Sequence, residues 1–147
     1  WQFVDVTEEE GVGKLGPTYQ AGWADFNNDG YLDLVSAGKI FINQGNSNNW
    51  LKIKLLGDGK IVNTDAIGSQ VRIRLKGKIL TRQVEAGTGQ GNQNEMTLHF
   101  GLGKHKEPVD IEIFWTKGLI QKVHHVKPNQ LIKLKLDSKK LLSRAKK

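Results

Sequence analysis

The sequence predicts an all-β fold, arranged as an antiparallel β-sandwich or barrel. The first observation is an alternation of apolar and polar residues, which in a strand produces one buried and one solvated face. The second is that turn-forming residues separate the alternating segments, as in Gly57-Asp58-Gly59 and Lys127-Pro128-Asn129. The third is that no long window before Leu136 keeps helical spacing. Strands with one dry and one wet face are typical of antiparallel sheets.

The first functional pattern along the chain is an acidic loop at residues 25–33, with the sequence DFNNDGYLD. It places oxygen-bearing residues at alternate positions around a tight turn, and Ca²⁺ takes roughly six to eight oxygen ligands. Gly30 is expected to take a positive φ where the chain reverses. The predicted calcium ligands are the side chains of Asp25, Asn27, Asp29 and Asp33 and the backbone carbonyl of Tyr31.

An EF-hand has ligands at the same alternate positions, so the surroundings of the acidic loop decide between the two. The twelfth position, where an EF-hand carries a bidentate Glu, is Ser36. Residues 22–24 and 32–35 have the pattern of short strands rather than of helices. The sequence therefore predicts a calcium loop between strands. A turn without metal is the alternative, although three aspartates in a bare turn would repel one another.

Four alternating segments follow, and they define a predicted β domain at residues 49–136. The charged residues between the apolar ones, among them Lys52, Lys54 and Lys133, are expected on solvated sheet faces. Residues 137–147 are predicted to be a basic tail that forms a short helix or frays. The apolar positions of the four segments are Leu51/Ile53/Leu55, Val71/Ile73/Leu75, Val109/Ile111/Ile113/Trp115 and Ile132/Leu134/Leu136.

An amide loop, rich in glycine, asparagine and glutamine, occupies residues 85–95. It lacks the Gly-Lys-[Ser/Thr] ending of a phosphate-binding loop, and no helix follows it. A polar loop on a rigid sheet can bind sugars or peptides. The predicted ligand-binding residues are Gln90, Asn92, Gln93 and Asn94, and a mobile connector is the alternative.

No catalytic residue is predicted. The chain has no Gly-x-Ser-x-Gly elbow. His124 and His125 would point to opposite faces of a strand, so they could not bind one ion together, and His99 is expected to be a surface or partly buried strand residue. An enzyme is the less favoured interpretation, but it stays open because residues distant in sequence can meet in the fold.

Charge is distributed unevenly along the chain. Residues 1–33 contain seven acidic and one basic residue, and residues 104–147 contain twelve basic and four acidic residues. Basic residues can bind nucleic acid. Here, however, the lysines alternate along strands and Trp50 and Trp115 occupy core-like positions, so no nucleic-acid partner is predicted. No apolar run is long enough to span a membrane, and the lack of cysteine excludes disulfides and thiolate metal sites.

Two family resemblances fit this organisation. Residues 22–34 resemble the calcium loop of an FG-GAP/VCBS propeller blade, a repeat also found in integrin α-subunits, and residues 3–7 are similar to the segment that leads into such a blade. Residues 49–55, 65–73 and 98–103 resemble the ASPIC/UnbV domain. The resemblance implies a single blade-like segment at residues 1–48 followed by an ASPIC/UnbV-like domain at residues 49–136.

The resemblance also implies a function. It describes a calcium-binding recognition or adhesion module, the C-terminal part of a larger propeller protein that is secreted, periplasmic or on the cell surface. Its expected partners are a protein or carbohydrate ligand and the upstream blades of the parent chain. Because the sequence starts at Trp1, we expect a processed or excised piece. The alternative, from the UnbV branch, is an accessory or enzymatic protein of a biosynthetic cluster.

Overall fold

The computed structural model describes residues 2–75, 77–137, 139 and 141–143. In this part of the chain the regular structure consists of β-strands and one short 3-10 turn, Thr116–Gly118, which confirms the all-β prediction. The strands are β1 (Ala21–Ala24), β2 (Asp33–Ser36), β3 (Lys39–Phe41), β4 (Asn49–Leu56), β5 (Gln70–Leu75), β6 (Lys78–Gln83), β7 (Leu98–Gly103), β8 (Val109–Phe114), β9 (Leu119–Val126), β10 (Leu131–Lys135) and β11 (Leu141–Ser143).

The strands form three sheets, in the orders β1-β2-β3, β10-β4-β7 and β11-β9-β8-β5-β6. Every described pair of neighbours is antiparallel except β10 and β4, which run parallel. A parallel pair needs a crossover rather than a hairpin. Here β9 lies in the five-stranded sheet and β10 in the three-stranded one. The chain therefore crosses to the other sheet after β9, which lets β10 run parallel to β4.

The core lies between the second and third sheets, which form the predicted β-sandwich. One cluster of buried apolar side chains joins β4 and β7 to β5 and β8, and Leu51, Ile53, Ile73, Ile111 and Ile113 in it are fully buried. Burying each such side chain contributes about 1.5–3 kcal/mol. The alternation in the sequence therefore assigned the inward faces of these strands correctly.

The front sheet, β1-β2-β3, has no comparable core. Among the described residues, none of the buried core cluster comes from residues 2–48, and several large apolar side chains there are exposed. They include Phe3, Val4, Tyr19, Trp23 and Ile40. The front segment (residues 1–48) therefore depends on contacts with other parts of the protein for its position.

The tail differs from the prediction. The expectation of a basic helix or frayed end is wrong for Leu141–Ser143, which form β11 and pair antiparallel with β9. Without β11, β9 would present an unpaired edge, and pairing satisfies its backbone groups. Residues 138, 140 and 144–147 of the predicted tail lie outside the described residues.

Candidate metal centre and its junction with the sandwich

The acidic loop connects β1 to β2 and lies against the outer face of β4 and β7, opposite the core. Gly30 packs on the indole of Trp50 so closely that a Cβ on this glycine would lie 1.8 Å from the indole Cε2. His99 donates from Nε2 to the Gly30 carbonyl oxygen over 2.7 Å. Two residues of the outer face, one on each strand, therefore hold the turn of the acidic loop against the sandwich.

Hydrogen bonds within the acidic loop define its turn. Asp25 accepts from two backbone amides, Oδ1 from the N–H of Asp29 at 3.1 Å and Oδ2 from the N–H of Gly30 at 2.9 Å. Asp29 in turn accepts from the N–H of Tyr31 at 2.9 Å. Gly30 has φ of 92°, as expected for a residue at which the chain reverses. Short acidic side chains favour this conformation because they replace the backbone partners that a tight turn lacks.

The Asp33 side chain is fully buried, as that of Asp25 nearly is, whereas Asp29 is exposed. Its Oδ2 accepts from the N–H of Phe26 and its Oδ1 from the N–H of Asn43, both at 2.8 Å. Phe26 follows β1 and Asn43 follows β3, so this one side chain ties the start of the acidic loop to the far end of the front sheet.

Lys52 contradicts the prediction that the lysines of β4 face solvent. Its side chain is only 3% exposed, and its ammonium nitrogen lies 2.8 Å from Asp25 Oδ2 and 3.3 Å from Glu95 Oε2. The prediction failed because the front segment covers this sheet face, which alternation within β4 cannot reveal. The charge distribution could have indicated this contact, because an acidic front segment precedes basic strands that it could pair with.

Two of the titratable groups where the acidic loop meets the sandwich, Asp25 and His99, have shifted pKa values. Burial raises the pKa of Asp25, but the hydrogen bonds from Lys52 and Gly30 and the charge of Lys52 outweigh it, so the pKa lies below its ordinary value. Burial lowers the pKa of His99, and the charges of Lys52 and Arg82 lower it further against the opposing bond to Gly30. A charged Asp25 therefore faces Lys52, while the His99 ring stays neutral at neutral pH.

The oxygen donors of the acidic loop fit Ca²⁺ by their chemistry. The predicted side-chain ligands Asp25, Asn27, Asp29 and Asp33 accept hydrogen bonds, yet each keeps at least one oxygen lone pair for a cation. Within the described part of the chain, however, no three His, Cys, Asp or Glu side chains are grouped so that they could hold a metal ion. The donors are therefore present in one turn, without convergence of the carboxylates.

The amide loop runs along the free edge of β1. Asn94 accepts from the N–H of Trp23 through its side-chain oxygen at 2.9 Å, and the N–H of Glu95 donates to the Trp23 carbonyl at 2.9 Å. Asn92 donates from its side chain to the Ala21 carbonyl. These contacts satisfy edge groups of β1 much as another strand would. Two of the four predicted ligand-binding residues, Asn92 and Asn94, thus bind the front segment through their side chains.

The backbone carbonyl of Gln90 accepts from the Gln20 side chain, and Gln93 is exposed. Beside Gln93 lies an open cleft of about 570 Å³, and its lining includes Asn92 and three exposed aromatic residues, Tyr19, Trp23 and Phe26. Exposed aromatic faces next to side-chain amides suit a ligand with both apolar and polar surfaces.

The remaining titratable groups form no further cluster with an obvious chemical role in the described part of the chain. A smaller cleft of about 200 Å³ is lined by residues that include Arg82, Glu85, Glu95 and His99. In it, Glu95 pairs with Lys52 and His99 with Gly30, as described above. On the opposite sheet, His124 pairs through Nδ1 with Asp110 Oδ2 at 2.9 Å, and both side chains are exposed.

The fold and the acidic loop together define a β-sandwich domain with a small three-stranded sheet, which carries the acidic loop, docked on its outer face. Residues 59–141, more than half of the chain, match the family described as ASPIC and UnbV. The chain belongs to the ASPIC and UnbV family, which confirms that part of the resemblance. The family match does not include residues 1–48, and their resemblance to an FG-GAP/VCBS blade stays a prediction.

The chain is similar to cartilage acidic protein 1 from several vertebrates. The identity is 30% over 131 residues for the Mus musculus protein, covering 78% of this chain and 18% of the relative. For the Homo sapiens protein it is 30% over 131 residues, covering 78% and 17%. For the Xenopus tropicalis protein it is 29% over 133 residues, covering 79% and 18%. The chain thus spans less than a fifth of the length of these relatives. No helix in the described part of the chain has the length and hydropathy needed to cross a bilayer.

Proposed function

We propose that this chain is a calcium-stabilised extracellular recognition or adhesion module within a larger propeller protein. In this proposal the front segment is the last FG-GAP/VCBS blade, and the protein is secreted, periplasmic or on the cell surface. The observation that carries the proposal is the junction, where the acidic loop, the amide loop and the aromatic cleft contact the same short strand, β1, or its ends. Binding of a cation there would order the surface that contacts a ligand.

The role proposed for calcium is structural. Asp25, Asn27, Asp29 and Asp33 would hold the ion through their side chains and Tyr31 through its backbone carbonyl. When bound, Ca²⁺ supplies positive charge that offsets the repulsion between the loop carboxylates. An ordered acidic loop would stabilise two neighbouring parts of the molecule. Asp33 ties the loop to the end of β3, and Gly30 packs on Trp50 of the sandwich.

We expect millimolar calcium to raise the melting temperature of the parent protein with its neighbouring blades intact, and Asp29→Ala to abolish the increase. A ligand present at one hundred times its Kd adds about 2.7 kcal/mol to the free energy of unfolding. Asp29 is exposed and contacts only its own loop, so its removal should leave the calcium-free fold in place. Differential scanning calorimetry in CaCl₂ and in EDTA measures both effects.

Asp65→Ala provides the control for the calcium experiment, because it removes an exposed carboxylate from the sandwich rather than from the acidic loop. Its calcium response should equal that of the parent protein. Identical melting curves in calcium and EDTA for the parent protein would refute a stabilising calcium site.

We also expect Phe26→Ala and Gln93→Ala to weaken ligand binding about fivefold or more, since truncating a central interface side chain costs more than about 1 kcal/mol. A glycan and extracellular-matrix protein array, probed with the parent protein with and without calcium, identifies the ligand on which the variants are then titrated. Ile79→Ala is the control, because Ile79 is half exposed on β6 and does not line the cleft.

If upstream blades cover the cleft instead, the same two substitutions will lower the melting temperature of the parent protein and leave ligand binding unchanged. That result would contradict the assignment of the cleft to a ligand.

A further inference from the structure

We infer that Lys52 competes with calcium for Asp25, so that a residue of the sandwich sets the calcium affinity of the acidic loop. This inference rests on the proposed calcium function and assigns a role to a residue outside the predicted ligand set. Lys52 follows the loop by a long stretch of chain and reaches the first predicted ligand only through the docking of the two parts.

The position of the Lys52 ammonium is determined by the sheet. β4 is the central strand of its sheet, with Lys52 opposite His99 on β7 and opposite Leu131 on β10. The backbone N–H of Lys52 also donates to the Gln130 carbonyl at 3.0 Å. Because both neighbouring strands hold this backbone and the side chain is buried, the ammonium cannot move away from the acidic loop without undocking it.

The ammonium uses the oxygen atoms that a metal ion would need. Asp25 Oδ2 accepts from Lys52 at 2.8 Å and from the N–H of Gly30 at 2.9 Å, so both of its lone pairs are engaged. Only Oδ1, which accepts from the N–H of Asp29 alone, keeps a lone pair. Lys52 therefore already supplies Asp25 with a positive charge in place of a metal ion.

Repulsion adds to this competition. Whichever oxygen of Asp25 contacted a calcium ion, the ammonium would lie within roughly 8 Å of that ion, about one Debye length at physiological ionic strength. Because Lys52 is buried, salt screens this repulsion less than it screens a surface pair. The Lys52 ammonium therefore opposes calcium binding, and a neutral side chain at position 52 would remove this repulsion.

Removing the charge of Lys52 has two opposing effects on calcium affinity, and the gain should prevail. The loss is in preorganisation of Asp25, but the backbone amides of Asp29 and Gly30 still hold that carboxylate. The gain is the removal of repulsion, together with the release of Glu95, whose Oε2 lies 3.3 Å from the ammonium. Site charge is a main determinant of calcium affinity in oxygen-ligand loops.

Isothermal titration of the 147-residue chain with CaCl₂ tests the inference, using Lys52→Gln and the matched control Lys133→Gln. Glutamine keeps a hydrogen-bond donor for Asp25, so the fold should survive while the charge is lost. We expect Lys52→Gln to bind calcium about tenfold more tightly and to melt at a lower temperature in EDTA. Lys133→Gln has the same net charge as Lys52→Gln. Because Lys133 is exposed on β10, this control should bind calcium like the unsubstituted chain.

Each outcome separates this inference from the proposed function. Tighter binding by Lys52→Gln, without a change in Lys133→Gln, supports the inference. Binding by Lys52→Gln when the unsubstituted 147-residue chain shows none supports its strongest form. If the unsubstituted chain binds calcium and Lys52→Gln binds it equally or more weakly, the inference is overturned and the calcium function is left intact. No binding by either overturns the inference, while the melting experiment on the parent protein with its blades decides the calcium function separately. Should Lys52→Gln fail to fold, Glu95→Gln provides the test. This variant keeps Lys52 but removes the carboxylate that shares the ammonium with Asp25. It must weaken calcium binding relative to the unsubstituted chain, or the inference fails.

Discussion

Replacing Gly30 with alanine is expected to lower the free energy of unfolding by about 2–5 kcal/mol and to detach the acidic loop from the sandwich. Two costs combine. A Cβ at this position would lie 1.8 Å from the Trp50 ring, and overpacking of this kind costs about 1–3 kcal/mol. The φ of 92° adds about 1–2 kcal/mol for a residue with a side chain. Urea denaturation followed by circular dichroism measures the total effect.

Gly38→Ala separates the two costs, because Gly38 has φ of 71° and no atom lies within 4 Å of the position that a Cβ would take there. This control should lose only the conformational part, about 1 kcal/mol. When Trp50 is already alanine, adding Gly30→Ala should lower the free energy of unfolding by less than it does in the unsubstituted protein, because the overlapping ring is gone. Equal effects of Gly30→Ala and Gly38→Ala would show that the contact with Trp50 does not hold the loop.

Asp33→Ala is expected to lower the free energy of unfolding by about 2–4 kcal/mol even in EDTA, where calcium plays no part. The substitution leaves the partly buried N–H groups of Phe26 and Asn43 without their acceptor, and each unpaired group costs about 1–3 kcal/mol. Denaturation in EDTA isolates this structural role of Asp33 from its predicted role as a calcium ligand.

Asp29→Ala in EDTA is the matched control for Asp33→Ala. Its side chain is exposed and bonds to the N–H of Tyr31 and the amide of Asn27, so the loss should stay below about 1 kcal/mol. Asp33→Asn should fall between the two, because its amide keeps only one acceptor oxygen. If Asp29→Ala and Asp33→Ala were equally destabilising, the burial of Asp33 would not distinguish its structural role from that of the exposed Asp29.

The acidic loop illustrates how local sequence and docking contribute separately. Its turn was predictable, because the aspartates at its first and fifth positions bond to amides within the same loop. The burial of Asp33 was not, because one of its partners, Asn43, lies ten residues further along the chain, after β3. Gly30 was predicted to reverse the chain, whereas its contact with Trp50 depends on a different sheet.

The strands show the same division. The inward positions of β4, β5 and β8 followed from alternation, because a strand exposes successive side chains to opposite faces whatever it packs against. Two residues of β4 were misassigned, Lys52 as solvated and Trp50 as core-like, because both lie on an outer face that a second layer covers. The amide loop was recognised as a polar loop, but its bonds to the edge of β1 join residues about seventy positions apart.

The amino-acid sequence by itself determined the all-β class, the core faces of the strands, the oxygen-rich turn and the resemblance to the ASPIC and UnbV family. These depend on periodicity and on contacts between near neighbours in the chain. Only the tertiary structure decided that Lys52 and Glu95 meet Asp25, that β10 pairs in parallel with β4, and that Leu141–Ser143 form an edge strand. The physical reason is that covering a sheet face, or pairing a sheet edge, depends on segments far apart in sequence, whose approach no local pattern specifies.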